Sequence, residues 1–357
     1  MAGGGDALLS EPARPTQEDP GVPNLWGWRT WVSMGIALTA LTVMALYVDF
    51  EEMWREFLKA DKRFALLGFF AHYATYYFRG ARWKFVLGQT PRRASRVKYG
   101  LVVFFYNFVD NLVPAKLGDL YAAHMARINF EVRRSEALGS LVFLRMVDGW
   151  IVLGLAAVSS WVLFVDRMPV LVFWALVFGL AFAIVASAIM VVFVVLNRKM
   201  PAWVPEKAER MIRDFRGRMV PSRNRVVGVV IFTTIIWTLE CLWIYWLTYA
   251  FGLELGLTAI VFLTMIPLLA SVVPITPAGA GFVEFTLYAC LLSLPGPIGI
   301  SRAMAASITF LNRIIDYWLH IVLGILIWGI RYRLGLYSWR ERTVGRTAET
   351  PSSSANS

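Results

Sequence analysis

The sequence predicts an all-α integral membrane protein, with six full transmembrane helices plus two broken, re-entrant helical hairpins in two inverted repeats. Three observations carry that expectation. Apolar residues make up 58% of the 357, and they fall in blocks of about 20, the length at which a helix crosses a ~30 Å hydrocarbon layer. Two further apolar regions are interrupted by proline into halves too short to cross. Lastly, the stretch "RMVDGW" (145–150), an arginine and an aspartate in greasy surroundings, is written again as "RIIDYW" (313–318).

Taken in chain order, residues 1–24 are rich in Gly, Pro and acids, have no apolar signal-peptide core, and are expected to be disordered. Full spans are expected at 27–49, 64–87, 137–165, 170–196, 226–250 and 303–330. Between the first two, 50–63 reads as an external loop with four basic and four acidic residues. The first broken region is 99–113 and 117–130 around Pro114; the second is 258–274 and 278–294 around Pro274 and Pro277. A polar tail, 338–357, closes the chain and is expected to be disordered. Fifteen tryptophans and thirteen tyrosines suit membrane interfaces. Cys241 and Cys290 lie in apolar stretches and read as small core residues.

Flanking charge sets the sidedness. Arg92, Arg93, Arg96 and Lys98 precede the first broken region, and Arg127, Arg133 and Arg134 follow it, so both its ends are expected in the cytoplasm. The loop 197–225 carries nine Lys/Arg against three acids, and its "EKAERMIRDFRGRM" has the spacing of an interfacial helix. The flanks of the second region, "FGLELGL" and "LSLPGPIGIS", have no Lys or Arg and are expected outside. Arg331, Arg333, Arg340, Arg342 and Arg346 return the C-terminus to the cytoplasm, on the side of the N-terminus. Ten short spanning helices would give the same sidedness; the short arms and central prolines favour hairpins.

The repeat extends beyond the opening pair. Pro-Ala-x-x-Gly occurs in "VPAKLGDLYAAHMAR" (113–127) and "TPAGAGFVEFTLYAC" (276–290), followed by Asp119 or Glu284, and Pro precedes Arg by similar separations, 114 to 145 and 277 to 313. Two units are expected, 27–165 and 170–330. Each holds an odd number of crossings, so the second is upside down relative to the first. Inverted repeats with broken elements meeting at mid-membrane are a recurrent transporter plan.

Charge inside an apolar layer costs about 2.5–3.5 kcal/mol per unpaired group, which marks these positions for attention. Arg145/Asp148 and Arg313/Asp316 are each i,i+3 and share a helix face. They read either as self-paired charges holding helices together or as a polar cavity whose guanidinium groups meet a phosphate. Arg79 and Arg82 read as snorkelling or headgroup-contacting side chains. Asn111 and Lys116 sit at the first hairpin tip. Gly279 and Gly281 let a ligand approach backbone at the second. The helices leaving both tips are expected to aim unpaired N–H groups at mid-membrane, which favours an anion there. Asp119 and Glu284 are either ordinary first-turn acids or groups that hold an amine or carry a proton.

Other classes find little support. The net charge of +11 sits beside apolar blocks, which fits the cytoplasmic leaflet better than nucleic acid. There is no GxSxG, no GxxxxGK[ST] and no HExxH, and no ligand spacing for a metal. His72, His124 and His320 are scattered and read as structural. Neither a cofactor nor a metal is expected.

At "RGARW" (79–83), "NLVPAKLGD" (111–119), "EALGSLVFLRMVDG" (136–149), "PITPAGAGFVE" (274–284) and "LNRIIDYW" (311–318), the chain resembles the lysylphosphatidylglycerol synthase transmembrane family, also called flippase-like domain proteins. The resemblance covers roughly 30–330. It implies movement of a lipid between leaflets, without the cytoplasmic aminoacyl-transferase domain that some members carry. Family members often have Glu-Arg where this chain has Leu144-Arg145, and Glu in place of Asp119, so the headgroup stays open. The expectation is a bacterial-type inner-membrane lipid flippase or transporter. Its partners would be membrane lipids (an anionic or aminoacylated phospholipid, or a polyprenyl-linked lipid), with a homo-oligomer left open. A membrane enzyme acting on lipid-linked sugars or phosphates, with Asp119, Glu284 and Asp148 as acid–base groups, is the rival. A structural or regulatory subunit is the third reading.

Overall fold

Helices arise where the apolar blocks lie. The computed structural model describes residues 42, 49–112, 117–195, 206–219, 223–271, 279, 281–295 and 299–337. The expected first span, 27–49, and both tails fall essentially outside these residues, as do the tip residues 113–116 and 272–278. The described residues form no strand.

The first element corrects an expectation. Residues 50–63 are not a loop: α1 runs Phe50–Lys59, its N-terminus capped by the Asp49 carboxylate, which accepts from the Glu51 and Glu52 N–H groups. Met53 and Phe57 lie one turn apart, and this face packs on the helix Arg302–Arg313, with the Ser307 hydroxyl donating to the Met53 carbonyl at 2.7 Å. Phe50, Trp54 and Leu58 stay exposed, as an amphipathic helix at a membrane surface leaves them.

The long helices follow: α2 Lys62–Leu87, α5 Arg134–Leu163, α6 Val170–Val195 and α8 Arg223–Tyr249. A last rod, Arg302–Ile330, is built of α11 (Arg302–Arg313), a π-helical turn (Ile314–Trp318) and α12 (Leu319–Ile330). By length and composition, four described segments can cross a membrane: Arg134–Leu163, Val170–Val192, Arg225–Tyr249 and Arg302–Ile330. The α2 helix is 26 residues long, about 39 Å, but is rich in charge. Exposed Phe173, Trp174, Phe178, Val185 and Ile189 make α6 a peripheral, lipid-facing helix.

The broken regions are pairs of short helices: α3 Arg96–Leu112 with α4 Gly118–Phe130, and α9 Leu257–Ala270 with α10 Phe282–Ser293. Each pair packs against itself. In the first, the chain returns on itself: the Tyr99 and Phe130 rings stack at 3.9 Å, and the Arg92 N–H donates to the Phe130 carbonyl. With 13 residues, α4 reaches only about 20 Å.

Contacts between helix ends sort the molecule into two poles. At one, Arg225 of α8 donates to the Val86 carbonyl of α2, and the open end of the α3/α4 hairpin holds the C-terminal segment, with Tyr337 N–H donating to Asn129 and Lys98 reaching the Gly335 carbonyl. The helix expected within 197–225 is α7, Glu206–Met219, and it docks here on the start of α5, with an Arg133–Asp214 pair at the exposed margin of the contact. At the other pole, Asp61 N–H donates to the Ala250 carbonyl and α1 meets α11. The α2 and α8 helices are therefore antiparallel.

Two apolar cores fill the bundle. One gathers Trp83, Tyr99, Phe105, Phe130, Leu141 and Leu144 near the basic pole. The second gathers Val152, Trp237, Leu247, Phe262, Leu287 and Ile308. On α5 the first ends at Leu144 and the second begins at Val152. The layer between them is where the charges sit.

Candidate functional site

The repeated arginines, one in each unit, must find partners in this layer, because an uncompensated charge there is expensive. Arg145 lies eleven positions into α5 (134 to 145), and Arg313 eleven positions into the last rod (302 to 313), so both reach the same depth from opposite poles. Neither pairs with the aspartate three residues later, and the self-paired reading is corrected. Arg145 Nη2 instead meets Asp119 Oδ1 at 3.2 Å and Asp110 Oδ2 at 3.8 Å, with Tyr106 beneath its guanidinium. Arg313 Nε meets Glu284 Oε1 at 2.7 Å and lies over the Tyr317 ring.

The same carboxylates hold the hairpin tips. Asp110 Oδ1 accepts the Gly118 N–H at 2.7 Å where α4 begins, and Glu284 Oε2 accepts the Gly281 N–H at 2.8 Å where α10 begins. At each of these helix starts, where unpaired N–H groups are expected, at least one donor is satisfied by an acid of this chain. Each acid joins a hairpin tip to a repeated arginine, so tip and long helix are tied by one group. The glycines explain themselves by backbone. Gly279 and Gly281 have φ of 66° and 85°, a left-handed region that L side chains avoid. Lys116 lies outside the described residues. Asn111 contributes through its carbonyl, which accepts from the Tyr317 hydroxyl at 3.2 Å and links the first hairpin to the second unit's rod.

The freed aspartates find partners on α2. Arg82 clamps Asp148 with two parallel bonds, Nη1–Oδ1 at 2.6 Å and Nη2–Oδ2 at 2.7 Å, and also donates to Thr233 of α8. It is 3% exposed and does not snorkel. Arg79 Nη2 pairs with Glu240 Oε1 of α8 at 2.8 Å and lies over Trp237. His72 stands between two acids: Nδ1 is 3.5 Å from Glu240 Oε2, and Nε2 is 3.3 Å from Asp316 Oδ1. All of this is carried by one stripe of α2, since His72, Tyr76, Arg79 and Arg82 fall at i, i+4, i+7 and i+10.

Most members are enclosed, but two open outward. The side chains of Arg145 and Asp316 are 44% and 41% exposed, against 4% for Arg82 and 5% for Glu284. The layer thus presents one accessible guanidinium and one accessible carboxylate, backed by buried, tied groups of both signs. Such a surface can receive a polar headgroup while apolar flanks keep contact with acyl chains. Among the described residues, no group of three or more His, Cys, Asp and Glu side chains is arranged to hold a metal ion.

Asp110, Glu240 and His72 are the participants outside the candidate set; the two acids stood out in the sequence only as charges in or near apolar blocks. Glu240 had no repeat partner to recommend it, and His72 looked isolated. The available signal was the single-face spacing of His72, Arg79 and Arg82, which demands acids on whatever packs against that face.

Comparison with known proteins gives the chain its place. It is similar to a UPF0104 membrane protein of Methanocaldococcus jannaschii, 24% identical over 224 residues, covering 62% of this chain and 94% of the relative. A UPF0104 membrane protein of Pyrococcus horikoshii is 22% identical over 333 residues, covering 81% and 93%. One from Methanothermobacter thermautotrophicus is 24% identical over 323 residues, covering 81% and 90%. The family model for the lysylphosphatidylglycerol synthase TM region matches residues 31–324, a stretch that includes every residue of the charged layer, and the chain belongs to that family.

Proposed function

We propose that the protein is a multi-pass lipid transporter of the flippase kind in the cell membrane. It moves a phospholipid or lipid-linked headgroup between leaflets through the polar layer, without covalent chemistry. One observation carries this reading. Two arginine–carboxylate pairs, Arg145–Asp119 and Arg313–Glu284, stand at the tips of two short-helix hairpins between two apolar cores, with Arg145 and Asp316 open to the exterior. A purely structural set of ion pairs has no need of accessible members at that depth.

The reading takes the chain as six crossings and two re-entrant hairpins in two inverted units, 27–165 and 170–330. The opposite directions of α2 and α8 and the return of α3/α4 to the basic pole support it. The basic pole, with α7 and the C-terminal segment, faces the cytoplasm by the excess of Lys and Arg there. A headgroup entering the layer exchanges with the existing pairs: its phosphate takes up Arg145 from Asp119 while Asp110 keeps its bond to the Gly118 N–H. The acyl chains remain against the exposed apolar faces.

Reconstitution tests this directly. Liposomes holding the purified protein and headgroup-labelled phosphatidylglycerol or phosphatidylethanolamine are exposed to an external quencher. Protein-dependent loss of the inner-leaflet signal, with lipid masses unchanged by mass spectrometry, is the expected result. Unchanged sidedness with every label rejects the transporter reading, and altered lipid masses favour an enzyme.

A further inference from the structure

Asp148 and Asp316 hold matching places in the two units, three residues after the repeated arginines, yet they face different counter-ions. Asp148 is clamped bidentately by Arg82, whose charge is permanent at physiological pH. Asp316 faces His72, whose charge is not. The second unit thus has a titratable partner where the first has a fixed one.

The geometry around His72 asks for a proton. Its side chain is 7% exposed, and carboxylate oxygens stand 3.5 and 3.3 Å from its two ring nitrogens, while neither nitrogen has a hydrogen-bond partner of good geometry. A neutral imidazole has one donor and one acceptor nitrogen. It can serve one of the two acids and must turn a lone pair toward the other. An imidazolium serves both. Charge balance agrees: Arg79 and protonated His72 match Glu240 and Asp316, whereas loss of the proton leaves the group net negative in an apolar layer. The other titratable groups around the ring are Tyr73 and Tyr76 of α2 and His320 of α12, the last with Nε2 3.2 Å from the Phe104 carbonyl.

Position makes the site useful. Glu240 is enclosed and anchored by Arg79, while Asp316 is 41% exposed and sits on the π-helical turn Ile314–Trp318; such turns are frequent at functional sites. We infer that His72, with Glu240 and Asp316, is a proton-binding site that couples lipid movement to a proton gradient. A proton enters on the exposed Asp316 carboxylate and passes to His72 Nε2. The doubly donating ring then ties α2 to both α8 and the π turn. When the proton leaves by the same carboxylate, the ring holds only one acid, and the rod carrying Arg313 is released from α2. This inference rests on the transporter reading.

The test uses the full-length protein in liposomes of phosphatidylglycerol and phosphatidylethanolamine, with a trace of headgroup-labelled phosphatidylethanolamine and a trapped pH dye. One proton per lipid and a gradient of about two pH units allow up to ~100-fold accumulation of label in one leaflet. The expected result is a steady leaflet ratio above about 5, with dye-reported proton flux that requires lipid movement. In His72→Gln the ratio falls to about one at the same gradient, and Asp316→Asn does likewise while Asp316→Glu restores it. A wild-type protein that moves label but leaves the ratio at one overturns the coupling and leaves the transporter reading standing. No movement of this label, nor of labelled phosphatidylglycerol in the same liposomes, removes both. A folded His72→Gln protein that still builds the ratio also overturns the assignment, and if that variant does not fold, Asp316→Asn gives the same reading from an exposed position.

Discussion

Replacing Arg82 with leucine separates the two ways a buried arginine can matter. The change removes three hydrogen bonds, two to Asp148 and one to Thr233, and strands the Asp148 carboxylate, whose side chain is 14% exposed. Interhelical hydrogen bonds in membranes average about 0.6 kcal/mol each. An uncompensated charge in the layer costs about 2.5–3.5 kcal/mol on insertion scales, and breaking a buried pair in proteins costs about 3–5 kcal/mol. The charge effect wins, so Arg82→Leu is expected to destabilise by about 3 kcal/mol, as is Asp148→Leu by stranding Arg82. The double Leu variant strands nothing and should recover most of that loss, falling within about 1.5 kcal/mol of the wild type. Equilibrium unfolding of all four proteins in mixed micelles with increasing dodecyl sulfate, followed by tryptophan fluorescence, measures the cycle. Additive losses, or single losses below about 1 kcal/mol, would show that the pair is hydrated and that the layer is not apolar as described.

The remaining expectations use other parts of the layer. Arg145→Ala should remove lipid movement and cost less stability than Arg82→Leu, because Arg145 is 44% exposed, Asp119 is 29% exposed and Asp110 keeps the Gly118 N–H; a fully active variant would leave the arginine without a role in the pathway. Glu284→Gln should cut movement at least about tenfold in folded protein, since it strands Arg313, whereas a mere interaction with the helix dipole would cost about 0.3–1 kcal/mol and spare movement. Cysteines at Ser95 and Arg134 should label from one side of the membrane, and cysteines at Glu254 and Ser301 from the other, all four positions being exposed. Opposite labelling within either pair contradicts the hairpin topology. Arg133→Ala, at an exposed pair with Asp214, should leave unfolding unchanged.

Several features were legible in the residues themselves because hydropathy, helical spacing and capping are local. The apolar blocks became long helices at 134–163, 170–195, 223–249 and 302–330. The prolines and short arms marked α3/α4 and α9/α10, and the basic segments gathered at one pole. Even the helix of 50–59, read as a loop, was written in the spacing of Met53 and Phe57 after a capping Asp49; its charge masked it. Which acid each arginine meets was another matter. Arg145 and Arg313 have aspartates three residues away on the same face, yet the tertiary fold brings Asp119 and Glu284 within 3.2 and 2.7 Å. Side chains of neighbouring elements can approach end to end, whereas an i,i+3 pair must bend along its own helix. Pairing is therefore decided by which helices pack, and packing depends on the whole chain. The same holds for His72, a lone histidine in the sequence, which becomes a bridge between Glu240 and Asp316 only because α2 packs against α8 and the π turn.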